Sequence, residues 1–131
     1  LTAIRIPATW SGARFYFEKV RDRNVWDFPL MNVASAIDLD GSTVRRIRLA
    51  VSAVAPRPMR LRNVEDAVAG KAADAATGEM AGKLAVEGAA PLQFNAYKIP
   101  LMRNLVKRAI GGVSPEQAKN GMAEVQEAAW S

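Results

Sequence analysis

Within the stretch FYFEKVRDRNVWDFPL, residues 15–30, Lys19, Arg23 and Asp27 recur every four residues beside Trp26 and Phe28. Two cations and a carboxylate at that spacing, next to two large rings, could form a polar rim against a planar ligand. The competing reading is a charged connector whose aromatics tuck into the core, because purely structural charge networks are common too. Spacing alone leaves both open.

Little else in the chain offers chemistry. There is no histidine and no cysteine. That excludes disulfides, thiol nucleophiles, thiolate or imidazole zinc sites, iron–sulfur ligation and every histidine-based triad. Acid–base work would fall to carboxylates, Lys or Tyr, and no carboxylate pair stands in a setting that clearly perturbs it. Asp38 and Asp40 flank a turn. Glu65 and Asp66 fall in the first turn of an expected helix, where the helix dipole accounts for them. Gly111-Gly112 reads as a helix stop, not as a phosphate cradle. In APRPMR, Arg57 and Arg60 offer either an anion site or a solvated loop. The chain alone is therefore not expected to be catalytic.

The net charge of +5 is concentrated at the front: residues 1–62 hold eleven Lys or Arg against five Asp or Glu, the remainder seven against eight. Arg45, Arg46, Arg48, Arg57, Arg60 and Arg62 form its densest part, a surface suited to nucleic acid, an anionic cofactor or an acidic subunit. At 131 residues the chain has the size of one domain. It has no apolar run of membrane-spanning length, and LTAIRIPATW lacks the layout of a signal peptide. The compartment, cytoplasm or periplasm, is not fixed. A start at Leu1 is compatible with a trimmed piece of a longer chain.

The elements that must position these residues read as strands first and helices afterwards. LTAIRIP is a short extended segment stopped by Pro7, TWSGA a turn around Gly12, and RFYFEKV a strand. MNVASAIDLDGSTVRRIRLAVSA is a hairpin turning at Asp40-Gly41. Met31, Val33, Ile37 and Leu39 are expected on one face and Ile47, Leu49, Val51 and Ala53 on the matching one, with Arg46 and Arg48 pointing away. Pro56 and Pro58 end the second strand. From Asn63 the period becomes helical: NVEDAVAG capped by Asn63, DAATGEMAGKLAVEG weakened by Gly78 and Gly82, then NAYKIPLMRNLVKRAIGG with Pro100 near its start and Arg103, Lys107 and Arg108 towards its end. SPEQAKNGMAEVQEAAWS carries a Ser114–Gln117 capping box. The expected fold is α+β: a three-stranded, mostly antiparallel sheet with a helical layer on one face.

Three blocks resemble one family. FYFEKVRDRNVWDFPLMNVASAI is similar to the start of the C-terminal domain of FAD-binding (medium) subunits of the xanthine dehydrogenase and carbon monoxide dehydrogenase family. LAVSAVAPRPMR is similar to that family's strand ending in Val-Ala-Pro-x-Pro-x-Arg, and NAYKIPLMRNLVKRAI to its final helix. The FEKVRDR and NAYK wording is nearest to the flavin subunits of bacterial periplasmic aldehyde oxidoreductases. The likeness covers residues 1–112, taken as the domain, and leaves 113–131 as a helical extension that caps it or docks a partner.

The resemblance implies a domain that closes over the flavin of a molybdenum hydroxylase. Upstream domains would hold the FAD phosphates on glycine-rich loops that this chain lacks. A molybdopterin-binding large subunit and an iron–sulfur small subunit would be partners. By position it places the flavin-contacting lysine on Lys19, a backbone contact on Leu1, and the loop beside the ring on Arg23, Asp27 and Phe28. A cation there supports negative charge on the ring, and an apolar residue shields its face. The chain departs from the family at Ser52-Ala53, where Gly-Gly is frequent, at Pro100, and in the tail. The alternative is a stand-alone basic module for nucleic acid or an acidic protein. Single-stranded nucleic acid would want exposed aromatics beside the arginines, and the predicted hairpin offers none, since Phe and Tyr lie on another strand.

Overall fold

The computed structural model describes residues 1–23, 25–88 and 98–111. Its frame is the expected hairpin, β2 (Met31–Asp40) and β3 (Thr43–Ser52), turning at Asp40-Gly41 with Gly41 at φ 62°. β1 (Arg14–Val20) pairs antiparallel with β2, and a two-residue β4 (Met59–Arg60) pairs antiparallel with β3, so the sheet order is β1-β2-β3-β4. The fourth strand corrects the expected three. It follows Pro58, which donates no ladder hydrogen bond, and two residues are too few to leave an alternating pattern.

The alternation holds along β2: Met31, Val33 and Ile37 are fully buried. On β3 it slips. Asp38 opposes Arg46 but Leu39 opposes Val44, a β-bulge that leaves Arg45 as the extra residue and sends Val44 inward in its place. Ala53 does not continue the core face either. The strand ends at Ser52, and Ala53 takes the left-handed backbone, φ 66°, which breaks the period of two.

α1 (Arg62–Val68), α2 (Ala75–Gly88) and α3 (Lys98–Gly111) follow. Val64, Val68, Leu101, Leu105, Val106 and Ile110 are buried in one core with the inner sheet face. Each such side chain contributes on the order of 1.5–3 kcal/mol. α1 and α3 lie on the sheet, and α2 packs along α3. Gly78 and Gly82 make that close approach possible: a Cβ at either would meet the α3 backbone, 2.8 Å from the Lys107 carbonyl oxygen or 2.7 Å from that of Arg103. Asn63 does not cap α1. Leu61 precedes the helix without a side-chain cap, while the Asn63 amide donates to the Leu84 carbonyl of α2 at 3.0 Å. Asp74 does cap α2, accepting the Thr77 N–H at 2.8 Å. The expected helix and extension from residue 113 onward lie outside the described residues.

LTAIRIP joins no strand. It leads into a 3-10 turn at Ala8–Trp10, where Gly12 at φ 83° reverses the chain into β1.

Candidate functional site

Residues 21–30 connect β1 to β2, closed at the base by the Leu30 N–H donating to the Val20 carbonyl at 2.7 Å. Lys19, Arg23 and Asp27 meet here, as their spacing suggests, but turned into the loop. The Asp27 carboxylate accepts the backbone N–H groups of Asp22 and Arg23, both at 2.8 Å. Lys19 Nζ donates to the Asp27 carbonyl at 2.7 Å, and the Arg23 guanidinium to the Trp26 carbonyl at 2.6 Å. The Arg23 N–H above all holds the Asp27 carboxyl below the usual carboxylate range.

Lys19 and Asp27 are engaged within the loop, Arg23 stays largely exposed, and the loop's apolar groups face outward as well. Val25, Trp26 and Phe28 are 69%, 94% and 90% exposed, and Trp26 sits at φ 55°, a strained backbone for a bulky residue. The connector reading, with these rings in the core, is thus overturned. Leu1 is fully exposed on the unpaired N-terminal segment, with Ile4 and Ile6 exposed beside it in sequence, and makes no bond to the loop among the described residues.

The strand register builds a second feature, the open face of the sheet. Three transverse rows run across it: Lys19–Asn32–Ser52, Phe17–Ala34–Ala50 and Phe15–Ala36–Arg48. Phe15 and Phe17 are exposed, and the alanines between strands leave a flat, apolar floor. Two shallow depressions of about 300 and 130 Å³ lie in it. This corrects the expectation that no aromatic lies beside the arginines. Which strand flanks the hairpin is a tertiary fact.

At the loop end of this face, Asn32 Nδ2 donates to Ser52 Oγ at 3.0 Å, and Asn32 Oδ1 is buried with no partner among the described residues. The sequence pattern places Asn32 on the outer face but gives no hint that its carbonyl is orphaned. At the other end, Arg46 stacks on Trp10, its guanidinium carbon 4.2 Å from the ring centroid, while donating to Asp38 at 3.0 Å and to the Thr9 carbonyl. That pins the entering chain to the sheet.

Most of the arginine cluster is neutralised internally. Arg45 lies 3.8 and 3.9 Å from Asp38 and Asp40, and Arg48 3.9 Å from Glu65. Glu65 is not a solvated dipole residue. It is 5% exposed, accepts the Leu49 N–H at 2.9 Å and pairs with Arg60. Burial pushes its carboxyl up, but the Arg60 and Leu49 hydrogen bonds outweigh this and hold it low. Arg60 is thereby committed to an internal partner, while Arg57 is exposed on its loop. Among the described residues no group of three or more carboxylates could hold a metal, and no helix is long and apolar enough to cross a membrane.

Comparison with known proteins gives this geometry a context. Residues 15–113 match the model of the CO dehydrogenase flavoprotein C-terminal domain. The carbon monoxide dehydrogenase medium chain of Hydrogenophaga pseudoflava is 31% identical over 114 residues, covering 84% of this chain and 39% of the relative. Among solved structures, quinoline 2-oxidoreductase from Pseudomonas putida 86 superposes with a TM-score of 0.68 at 25% identity, over 91% of this chain and 40% of its own. Carbon monoxide dehydrogenase from Hydrogenophaga pseudoflava, in a form lacking the Mo-pyranopterin moiety of its cofactor, gives 0.66 at 27% identity, over 76% and 36%. The chain thus spans about two fifths of the length of these relatives.

Proposed function

The chain belongs to the CO dehydrogenase flavoprotein C-terminal domain family, and from that premise we propose that it closes over the flavin ring of an FAD-binding subunit in a molybdenum hydroxylase. The observation that carries this reading is the braced loop: two exposed rings, Trp26 and Phe28, held beside the cations of Lys19 and Arg23. The chemistry of that donor set fits an isoalloxazine. Lys19 spends one of its three N–H donors on the Asp27 carbonyl and keeps two for a ring carbonyl or nitrogen. Phe28 and Trp26 supply apolar faces that stack on a flat ring and exclude water from it. Asp27 positions, by fixing the backbone that carries both rings.

The pyrophosphate end is a different matter, because the described residues carry no glycine-rich loop of the kind that cradles phosphates. That part of FAD belongs to the upstream domains of the longer subunit. When bound, FAD supplies the electron-accepting and electron-donating step; this chain contributes the ring's polar border and its cover. Leu1 is assigned a backbone contact with the cofactor on the family resemblance alone. The partners in this reading are a molybdopterin-binding large subunit and an iron–sulfur small subunit, the composition that the family resemblance implies. The substrate oxidised is not specified by these residues.

The test is Lys19→Ala in the full-length subunit. Flavin content or the rate of flavin reduction should fall by roughly tenfold or more, the scale of one charge-assisted hydrogen bond. Unchanged content and kinetics would sink the reading.

A second reading has one observation in its favour. Phe15 and Phe17 share the open sheet face with Arg48, the composition of a stacking platform for single-stranded nucleic acid. Against it, Arg46, Arg48 and Arg60 already face internal carboxylates. Binding to a single-stranded oligonucleotide that weakens steeply with salt would support it; no binding at low salt would remove it.

A further inference from the structure

We propose that the open face of the sheet is covered by the segment that follows α3, residues 113–131, docked there as one amphipathic helix. The face is shaped to take one. Strand register sets two rows across it, Phe17–Ala34–Ala50–Arg60 and Phe15–Ala36–Arg48. Two exposed phenylalanines form one bank, two half-exposed arginines the other, and alanines the bed between them. From Phe17 to Arg60 is three strand spacings, about 14 Å, wide enough to seat a helix of ~10–12 Å diameter. The depression of about 300 Å³ lies in this trough, and its lining is almost wholly apolar. Trp10 closes the end nearest the hairpin turn, its ring centroid 4.2 Å from the Arg46 guanidinium carbon and 5.8 Å from that of Arg48.

The segment is rooted beside that trough. Arg14, the first residue of β1, donates from Nη2 to the Ile110 carbonyl at 2.8 Å. β1 is an edge strand, so α3 ends within one arginine side chain of the sheet's edge, next to Phe15. Residues 112–114, extended, reach about 10 Å, the separation of two packed layers. Ser114, Pro115 and Gln117 then give a helix start. Ala118, Met122, Val125 and Ala129 recur on one side of that helix, and their small and medium side chains suit an alanine bed banked by rings. Charge agrees. Residues 113–131 hold three Glu against one Lys, while the rest of the chain holds seventeen Lys or Arg against ten Asp or Glu. On the bank itself, Arg48 and Arg60 share a single carboxylate, Glu65, which leaves that side positive. Gly121 weakens such a helix by about 1 kcal/mol, so it needs a surface to hold it. The size of the bed disfavours an untethered occupant. Two rows cover on the order of 200–300 Å², well short of the ~800 Å² per partner of a stable interface. A tethered segment needs less, because attachment gives it an effective concentration in the millimolar range.

The chain has no cysteine, so one introduced thiol reports cover directly. Ala34→Cys places it in the middle of the bed, at an exposed position of β2. Its rate of reaction with a small disulfide reagent would be followed in the full chain. In that background Met122→Asp with Val125→Asp puts charge on the docking stripe. The thiol should then react about tenfold faster or more, the shift that about 1.4 kcal/mol of lost cover gives. Asn120→Asp, on the opposite side of the same helix, should change the rate by less than about twofold. Ala50→Cys, one strand across, serves as the second probe position if the first protein folds poorly. Equal rates with and without the two stripe aspartates would overturn the proposal. So would an equal acceleration by Asn120→Asp, which would mark a general effect of charge and not a docked face. Protection that falls on dilution would overturn it too, and would assign the face to a second copy of the chain.

Discussion

Arg108 in α3 holds the carboxylate of Glu18 in β1 with two hydrogen bonds, from Nε at 3.0 Å and Nη2 at 2.6 Å, across 90 positions of sequence. The two side chains are only 7% and 14% exposed, and the Tyr16 hydroxyl donates to the same carboxylate. This charge pair sits between sheet and helix, on the face opposite Phe17 and Lys19. It fixes the position of α3 on the strand that leads into the braced loop.

Removing one partner should cost far more than removing both. Glu18→Ala strands a buried guanidinium and is expected to lower stability by roughly 3–5 kcal/mol. Glu18→Leu combined with Arg108→Met should cost much less than the sum of its single changes. Urea unfolding midpoints of the four proteins decide this, and simple additivity would contradict it.

Gly82→Ala should destabilise the protein although alanine is the better helix former by about 1 kcal/mol. The new methyl would lie 2.7 Å from the Arg103 carbonyl oxygen, and α2 and α3 would have to separate. An overpacking cost of about 1–3 kcal/mol is expected. A raised melting temperature would show that the two helices have slack.

At Ala53 the opposite sign is expected. Its φ of 66° is unfavourable for any residue with a Cβ, and its carbonyl is held there by Lys98 Nζ at 3.0 Å. Ala53→Gly should therefore stabilise by roughly 0.5–1 kcal/mol, as read from the denaturation midpoint.

Acid and alkali should each loosen a different contact. Glu79, paired first with Lys107 and then with Arg103, has its carboxyl lowered from 4.5 to about 2. A folded-state pKa below the unfolded one means stability that is full above pH 4.5 and lost as pH falls towards 2. High salt and Glu79→Gln should both flatten that limb. Tyr16 is pushed up from 10 to about 12, mainly by burial and then by Glu18, so its contribution is full below pH 10 and lost as pH climbs towards 12. Melting temperatures measured across both windows, with Tyr16→Phe for the alkaline one, test the assignment.

Asp27→Ala should release the loop without unfolding the domain. Two backbone N–H groups lose their acceptor at an exposed site, where water can replace it, so the change falls on the order of the loop more than on the fold. Trp26 should then move more freely. The chain has three tryptophans, so Trp10→Phe with Trp130→Phe leaves Trp26 as the single indole. In that background its fluorescence anisotropy should drop when Asp27 is replaced. An unchanged anisotropy would mean that Asp27 does not brace the ring.

Several local features could be read directly from residue order. Alternation in MNVASAI and the Asp40-Gly41 turn specify the hairpin because a period of two and a positive-φ glycine are local requirements. The approach of Lys19, Arg23 and Asp27 follows from their closeness along the chain, at the end of β1 and in the short connection after it. The three matching blocks suffice to place the family. The β-bulge at Arg45 was hidden, since one inserted residue leaves the composition of a strand unchanged. Asn63 looked like a cap because its type suits one, yet the helix begins before it, at Arg62, which puts Asn63 inside the first turn, where its amide donates to the Leu84 carbonyl.

What the sequence determined by itself was therefore the set of elements, their periods, and the loop where cations and rings are close along the chain. Only the tertiary structure decided which groups are spent and which are free. Glu65 and Arg108, which look solvated in the sequence, are buried against partners 5 and 90 positions away. Asn32, which looks like an ordinary outward residue, has a buried carbonyl with no donor among the described residues. The reason is physical. Secondary structure is governed by interactions within a few residues, whereas burial and hydrogen-bond satisfaction depend on which distant segment arrives opposite, and here that is set by strand register and by the seat of α3 on the sheet.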